Sequence, residues 1–168
     1  MPAPGGRVLI QPISLDWVQA LHRCLDEVSR ERRWLAFLKA PPLELTRRFV
    51  EAQLKRNAPM FVATEGGEVV GWCDIQTGAL EGFTHCGRLG MGVRASHRRG
   101  GIGSKLLAAV LEEGRSDGLT RVELDVYASN TAAIVLYEKA GFTVEGLKKN
   151  ARLLDGEYDD VVMMAKLL

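Results

Sequence analysis

"SHRRGGIGSKLL", residues 96–107, sets two arginines against three glycines and then runs directly into an apolar helical pattern. Gly100, Gly101 and Gly103 have no Cβ, so a ligand can approach the backbone closely. The helix that follows starts with amide N–H groups that have no partner inside it, and with the positive end of its dipole. Arg98 and Arg99 add charge and forked donors. Together these features predict an anion site suited to a phosphate or pyrophosphate. The plainer alternative is a glycine-softened turn with solvated arginines. Upstream, residues 84–93, "THCGRLGMGV", alternate polar or small with apolar residues as a strand does. Downstream, residues 101–117 give the clearest helix, with Ile102, Leu106, Val110 and Leu111 in one stripe and Gly118 to stop it. "RVELDV" (121–126) reads as a strand. "NTAAIVLYEKA" (130–140) reads as a helix, with Asn130 as N-cap and Gly141 as stop. The loop therefore lies inside a strand–helix–strand–helix unit. Such units bind ligands beside helix N-termini, at the C-terminal ends of strands.

The rest of the chain completes an α/β pattern. "RVLIQPI" (7–13) is a short strand. Residues 15–29 place Leu15, Val18, Leu21, Leu25 and Val28 at helical spacing. "ERRWLAFLKAPP" is ambiguous and ends at its two prolines. Residues 43–56 read as a helix with Leu45, Phe49 and Leu54 apolar. "MFVATE" (60–65) and "EVVGWCDIQT" (68–77) flank Gly66-Gly67, a hairpin signal. "FTVEG" and "YDDVVMMAKL" are the last strands. The order is β-α-α-β-β-β-α-β-α-β-β. With no repeat or low-complexity tract, residues 1–168 read as one domain with 1–6 as a loose lead-in.

Composition narrows the function classes. The chain has 168 residues, 46% apolar and 26% charged, with a net charge of +1. No overall field favours nucleic acid or an anionic membrane. No apolar run reaches the roughly 18 residues that cross a bilayer. The first residues lack a basic-then-apolar signal layout. Cys24, Cys73 and Cys86 are odd in number and show no CxxC spacing, which argues against disulfides and zinc and for reduced thiols in the cytoplasm. No metal site is expected.

Two phosphate motifs fail. A Walker A loop needs GxxxxGK[ST], and "GGIGSK" puts Ser104 before Lys105. A dinucleotide fingerprint forced onto "GMGVRA" (90–95) falls several residues short of the helix. What fits is arginine-x-x-Gly-x-Gly, on Arg98, Gly101 and Gly103. This resembles the pyrophosphate loop of the GNAT family of N-acetyltransferases, which bind acetyl-coenzyme A. "NTAAIVLYEKAGF" (130–142) is similar to that family's downstream signature, on Asn130, Ala133, Tyr137, Gly141 and Phe142. The resemblance is specific over residues 84–166, and the N-terminal half matches only in its order of elements. The ending resembles the branch of amino-acid, polyamine and ribosomal-protein N-terminal acetyltransferases.

The resemblance implies a single-domain GNAT fold, a mixed sheet of about seven strands flanked by about four helices. It implies a V-shaped opening between the strand ending at Val93 and the strand 121–126, with the pantetheine arm lying in it like an added strand. Backbone groups of Met91 and Val93, either side of Gly92, would bond that arm. Arg98 and the N–H groups of Arg99, Gly100, Gly101, Ile102, Gly103 and Ser104 would hold the pyrophosphate. Asn130, three residues before Ala133, would bond the pantetheine amide or cap its helix. Acyl transfer needs an oxyanion donor, a proton for the departing thiolate and a route for the amine's proton. A backbone N–H near Met91–Val93 suits the first. Tyr137, protonated at neutral pH, suits the second, though its helical stripe with Ala133 and Ala140 also reads as core. For the third, Asp74, Glu81, His85 and Asp125 are all open, and the amine can also lose its proton to solvent.

Substrate recognition is expected in the N-terminal helices. There Arg30, Arg32, Arg33, Trp34 and Phe37 offer a carboxylate partner and an aromatic wall; the alternative puts Trp34 and Phe37 in the core. The expected activity is acetyl transfer to the primary amine of a small molecule, such as an amino acid. A protein N-terminus is the alternative acceptor. A non-catalytic acyl-coenzyme A sensor would not need Tyr137. A nucleic-acid module built on Arg94, His97, Arg98 and Arg99 lacks net charge and interleaved aromatics. A homodimer is compatible with the resemblance.

Overall fold

The alternating stretches join into one seven-stranded sheet. In chain order the elements are β1 (Leu9–Pro12), α1 (Val18–Arg30), α2 (Leu43–Lys55), β2 (Met60–Glu65), β3 (Glu68–Thr77), β4 (Cys86–Val93), α3 (Ile102–Ser116), β5 (Arg121–Tyr127), α4 (Thr131–Lys139), β6 (Thr143–Leu154) and β7 (Glu157–Leu167). The computed structural model describes residues 6–168, so the predicted lead-in lies outside the described residues except for Gly6. Strand order is β1-β2-β3-β4-β5-β7-β6, with β4 and β5 parallel and the other neighbours antiparallel. This is the mixed α/β sheet with four helices that the sequence predicts. The hairpin at Gly66-Gly67 forms as expected. Both residues have positive φ, +57° and +81°, which the tight turn demands and glycine supplies without strain.

The two faces of the sheet bury different helices. Cys73, Ile75, Leu89, Val122, Leu124 and Val126 pack with α3 residues such as Leu106 and Val110. Val62 and Trp72 pack with α1 and α2 through Val18, Leu21, Cys24, Val28 and Val50. The helices differ from the sequence reading in two places. Leu15 lies in a separate 3-10 turn, Leu15–Trp17, and is exposed, so α1 begins at Val18. The inward face of α2 carries Thr46, Val50 and Gln53, while Leu45 and Leu54 are exposed. A polar residue is turned inward because the last β2–β3 pair is Met60–Asp74, which leaves the Ile75 carbonyl beyond it, and Gln53 Nε2 donates to that oxygen at 3.1 Å.

One break in the sheet positions everything that follows. β4 pairs with β5 only at Cys86–Arg121, Gly87–Val122 and Arg88–Glu123. Beyond these, β4 stays with β3 as far as Val93, and β5 stays with β7 as far as Tyr127. The two parallel strands part and leave a wedge. Gly92 lies at its edge under the indole of Trp72, and a Cβ there would stand 2.4 Å from Trp72 Cη2. Gly92→Ala is therefore expected to cost about 1–3 kcal/mol, read as a melting temperature several degrees lower.

Candidate active site

Strand alternation decides which backbone groups face the wedge. Arg94 N donates to Val70 O at 2.9 Å, so the even-numbered residues of β4 turn their backbones to β3. Leu89, Met91 and Val93 turn theirs into the wedge. The Val93 carbonyl accepts from Arg98 Nε at 2.9 Å, and Met91 keeps both groups directed into the opening. Val93 presents its N–H free and a carbonyl that already accepts one hydrogen bond.

The loop after β4 is built by changes of hand. A 3-10 turn, Ala95–His97, leads to extended Arg98, then to Arg99 with φ +66° and Gly101 with φ +81°. A positive φ on arginine costs of order 1 kcal/mol, and such strain concentrates at functional sites. Left-handed residues in such a turn bring successive N–H groups toward one side, the geometry of an anion-binding concavity. The first bond inside α3 runs from Lys105 N to Gly101 O. The N–H groups of Ile102, Gly103 and Ser104 come before it and point out of the helix start. A cleft of about 520 Å³ opens beside them, lined by Arg7, His97, Gly100, Ile102 and Lys105 among others. Lys105, which lies outside the arginine-x-x-Gly-x-Gly motif, adds a cation in the first turn of α3. Gly103 marks the convergence of three elements, since a Cβ there would stand 3.3 Å from Leu136 Cδ2 and 3.5 Å from Met91 Cε.

Arg98 departs from its expected orientation. Its guanidinium forks onto Glu31 at the end of α1, at 2.8 Å to Oε2, and lies 5.6 Å from the centre of the Trp34 ring. Trp34 Nε1 also donates to Glu31 at 2.7 Å. The Arg98 hydrogen bonds, with a smaller one from Trp34, hold the Glu31 carboxyl below the usual carboxylate range against the opposing effect of burial. Arg98 thus clamps the loop to α1 and to the end of β4. Arg98→Ala is expected to cost about 1–3 kcal/mol in stability, with only a small rise in KM for the acyl donor. An arginine that served as a direct phosphate contact would show the opposite balance.

α4 carries the remaining predicted residues. The Asn130 side chain accepts from Ala133 N at 3.2 Å, the capping half of its two expected roles. Tyr137 is buried in the α3-side core, with its ring centre 5.8 Å from that of Phe142. Burial raises its pKa well above the ordinary phenol value, so it is an O–H donor throughout the neutral range.

The four open base candidates separate. Glu81 and His85 lie at the end where β4 and β5 are closed together, and the His85 carbonyl accepts from Thr120 N at 3.0 Å. Asp125 is held by Arg88 at 2.9 Å and Lys148 at 3.3 Å, which keep it below the usual carboxylate range although burial works to raise it. Asp74 is buried on β3, opposite Gly90, and its Oδ1 has no partner. Burial pushes its pKa up to about 7, opposed by a hydrogen bond from Gln76.

The aromatic–arginine segment forms turns between α1 and α2. Arg30 pairs with Asp26 at 2.7 Å and Arg32 with Asp155 at 2.8 Å; Arg33 lies over Trp34 at 4.7 Å. Trp34 packs at the edge of the second core, whereas Phe37 is 54% exposed, so the reading that put both in the core fails for Phe37. Of the four residues proposed for nucleic acid, Arg94, His97 and Arg98 are paired with Glu68, Glu65 and Glu31. No helix among the described residues is long and apolar enough to cross a membrane.

Fold and site together define an α/β protein with a helix start open to an anionic group and a sheet wedge wide enough for an extended chain. The sequence profile of the acetyltransferase (GNAT) family matches residues 21–142. An L-amino acid N-acetyltransferase of Escherichia coli is 33% identical over 110 residues, 64% of this chain and 67% of that protein. The ribosomal protein bS18-alanine N-acetyltransferase of Escherichia coli is 36% identical over 72 residues, 42% of this chain and 49% of that protein. A GNAT-family acetyltransferase structure from Streptococcus pneumoniae superposes with a TM-score of 0.89 at 26% identity, covering 96% of this chain and 99% of that one. The chain belongs to the acetyltransferase (GNAT) family.

Proposed function

We propose that this protein transfers the acetyl group of acetyl-coenzyme A to the amine of an L-amino acid or a similar small molecule in the cytoplasm. The observation that carries the reading is the wedge between β4 and β5, opening beside the strained Arg99–Gly101 turn at the start of α3. The donor set fits the co-substrate: N–H groups of residues 99–104 for a pyrophosphate, and the edge of β4 for an extended amide chain. Acetyl-coenzyme A supplies the activated acyl carbon as a thioester. In this reading Met91 N–H, directed into the wedge, stabilises charge on the carbonyl oxygen, and Tyr137 gives the proton that neutralises the sulfur.

A small acceptor is favoured over a protein by the opposite face of the sheet. A cleft of about 400 Å³ lies there at the closed end of the wedge, ringed by Arg88, Arg121 and Lys148 and by Glu123, Asp125 and Glu145. Its size suits a small molecule, and its charges pair with one another, Arg88 and Lys148 with Asp125 and Arg121 with Glu123 and Glu145, so a zwitterion would exchange these partners for its own. The similarity to the amino-acid acetyltransferase also extends over more of the chain than that to the ribosomal-protein enzyme. The test is thiol release from acetyl-coenzyme A against L-amino acids, polyamines, aminoglycosides and peptides with different N-termini. Turnover with amino acids well above the amine-free rate is expected. Turnover confined to peptides would move the acceptor to a protein N-terminus. Binding of coenzyme A, seen as a raised melting temperature, with no turnover would point to a sensor.

A further inference from the structure

We propose that Asp74 is the general base of the transfer, receiving the proton of the attacking amine from beneath β4; this rests on the N-acetyltransferase reading above. The geometry begins with register. Asp74 pairs with Gly90, one residue before Met91, whose backbone faces the wedge. Because Gly90 has no side chain, the carboxylate lies against the β4 backbone, and a Cβ on Gly90 would stand 3.5 Å from Asp74 Oδ2. β3 alternates, so Asp74 is on the face of Trp72, opposite the α3 face. The Arg88–Asp125 cleft opens on that same face. A co-substrate entering from α3 and an acceptor entering from the cleft would meet at the wedge, with Asp74 on the acceptor's side.

A carboxylate here is otherwise hard to explain. It is 4% exposed, and its Oδ1 has no hydrogen-bond partner. Burying a carboxyl with one oxygen left without a partner destabilises a fold, and such residues persist mainly where function needs them. Its surroundings carry little charge. Met60 faces it from β2 and Gly90 from β4, with Cys73 and Gln76 beside it on its own strand. Arg88, two residues from Gly90, is committed to Asp125. From α2, Gln53 is spent on the Ile75 carbonyl, and at the ends of α1 and β4 Glu31 and Arg94 are paired with Arg98 and Glu68. Burial is thus the leading influence on its proton affinity, opposed by Gln76.

In the step, the amine nitrogen forms a bond to the acetyl carbon and gives a proton to an Asp74 oxygen. The carbon–sulfur bond breaks, and the sulfur takes the phenolic proton of Tyr137. Asp74 then releases its proton to water, and Tyr137 regains one from water, so the products are the acetamide and the free thiol.

The test is steady-state kinetics of Asp74→Asn from pH 6 to 9 with the best acceptor of the wild type, its free-base concentration held constant. kcat is expected to fall roughly a hundredfold or more, with both KM values changed only a few-fold. The acid limb expected of the wild type near pH 7 should be absent from the variant. Melting temperatures provide a second readout. A carboxyl whose proton affinity is raised on folding contributes stability that is whole below its unfolded value of 3.8 and is lost as pH rises to about 7. Other carboxylates, such as Glu31 and Asp125, move stability the opposite way in both proteins, so the readout is the difference: wild type should lose melting temperature relative to Asp74→Asn across that window, and the variant should melt higher at pH 8. A variant that keeps its kcat and its acid limb, or melts below the wild type at pH 8, overturns the proposal. A wild type that acetylates no amine fails the proposed function instead.

Discussion

Tyr137→Phe is expected to lower kcat roughly a hundredfold or more, the usual contribution of a positioned general acid, while leaving KM for acetyl-coenzyme A and the melting temperature nearly unchanged. The phenol ring is core: it packs on Phe142 within the α3-side cluster, and phenylalanine retains that packing. Only the hydroxyl is lost, and its work is confined to the moment when sulfur departs. An acceptor-independent measurement separates this from a folding defect. The variant should show the wild-type rise in melting temperature with coenzyme A, since binding of that product does not use the phenolic proton. Equal kcat in Tyr137→Phe and wild type would reduce Tyr137 to a core residue and leave sulfur to be protonated by water.

Gly101→Val is expected to act on binding. Gly101 holds φ at +81°, where a β-branched residue is strained by about 1–2 kcal/mol. The turn that curves the N–H groups of residues 99–104 together should open, and KM for acetyl-coenzyme A should rise about tenfold or more, since each 1.4 kcal/mol is a factor of ten. Gly118→Val is the matched control. Gly118 has φ +92° at the far end of α3, with open space where a side chain would go. It bears a similar strain, so its melting temperature should fall while KM stays at the wild-type value. If both variants shift KM alike, the loop's shape is not what holds the co-substrate.

The parts of this protein that were legible in its sequence are those fixed locally. Gly66-Gly67 announces a hairpin because the turn needs two positive φ values. Asn130 announces a helix start because its side chain reaches an amide three residues on. The glycine-rich loop announces bare backbone at a helix start, because Gly101 and the first residues of α3 are adjacent in the chain. The unread parts depend on distant partners. Arg98 looks like a ligand arginine until the fold delivers Glu31, 67 residues away, to its guanidinium. The apolar residues Leu45 and Leu54 do not reveal which face of α2 turns inward, because the need for Gln53 arises from the end of β2 and the orphaned Ile75 carbonyl. Asp74 stood among four equal candidates in the sequence. Its burial, and its place against Gly90, exist only through the β3–β4 register.

The most direct measurement is to incubate the protein with acetyl-coenzyme A labelled in the acetyl group, together with an equimolar mixture of L-amino acids and short peptides. Mass spectrometry then shows which nitrogen carries the label. The wedge, the loop and the mixed-charge cleft predict label on the α-amine of one or a few amino acids, with matching release of free thiol. Label on no amine at all, in a protein that still binds coenzyme A, would contradict the account.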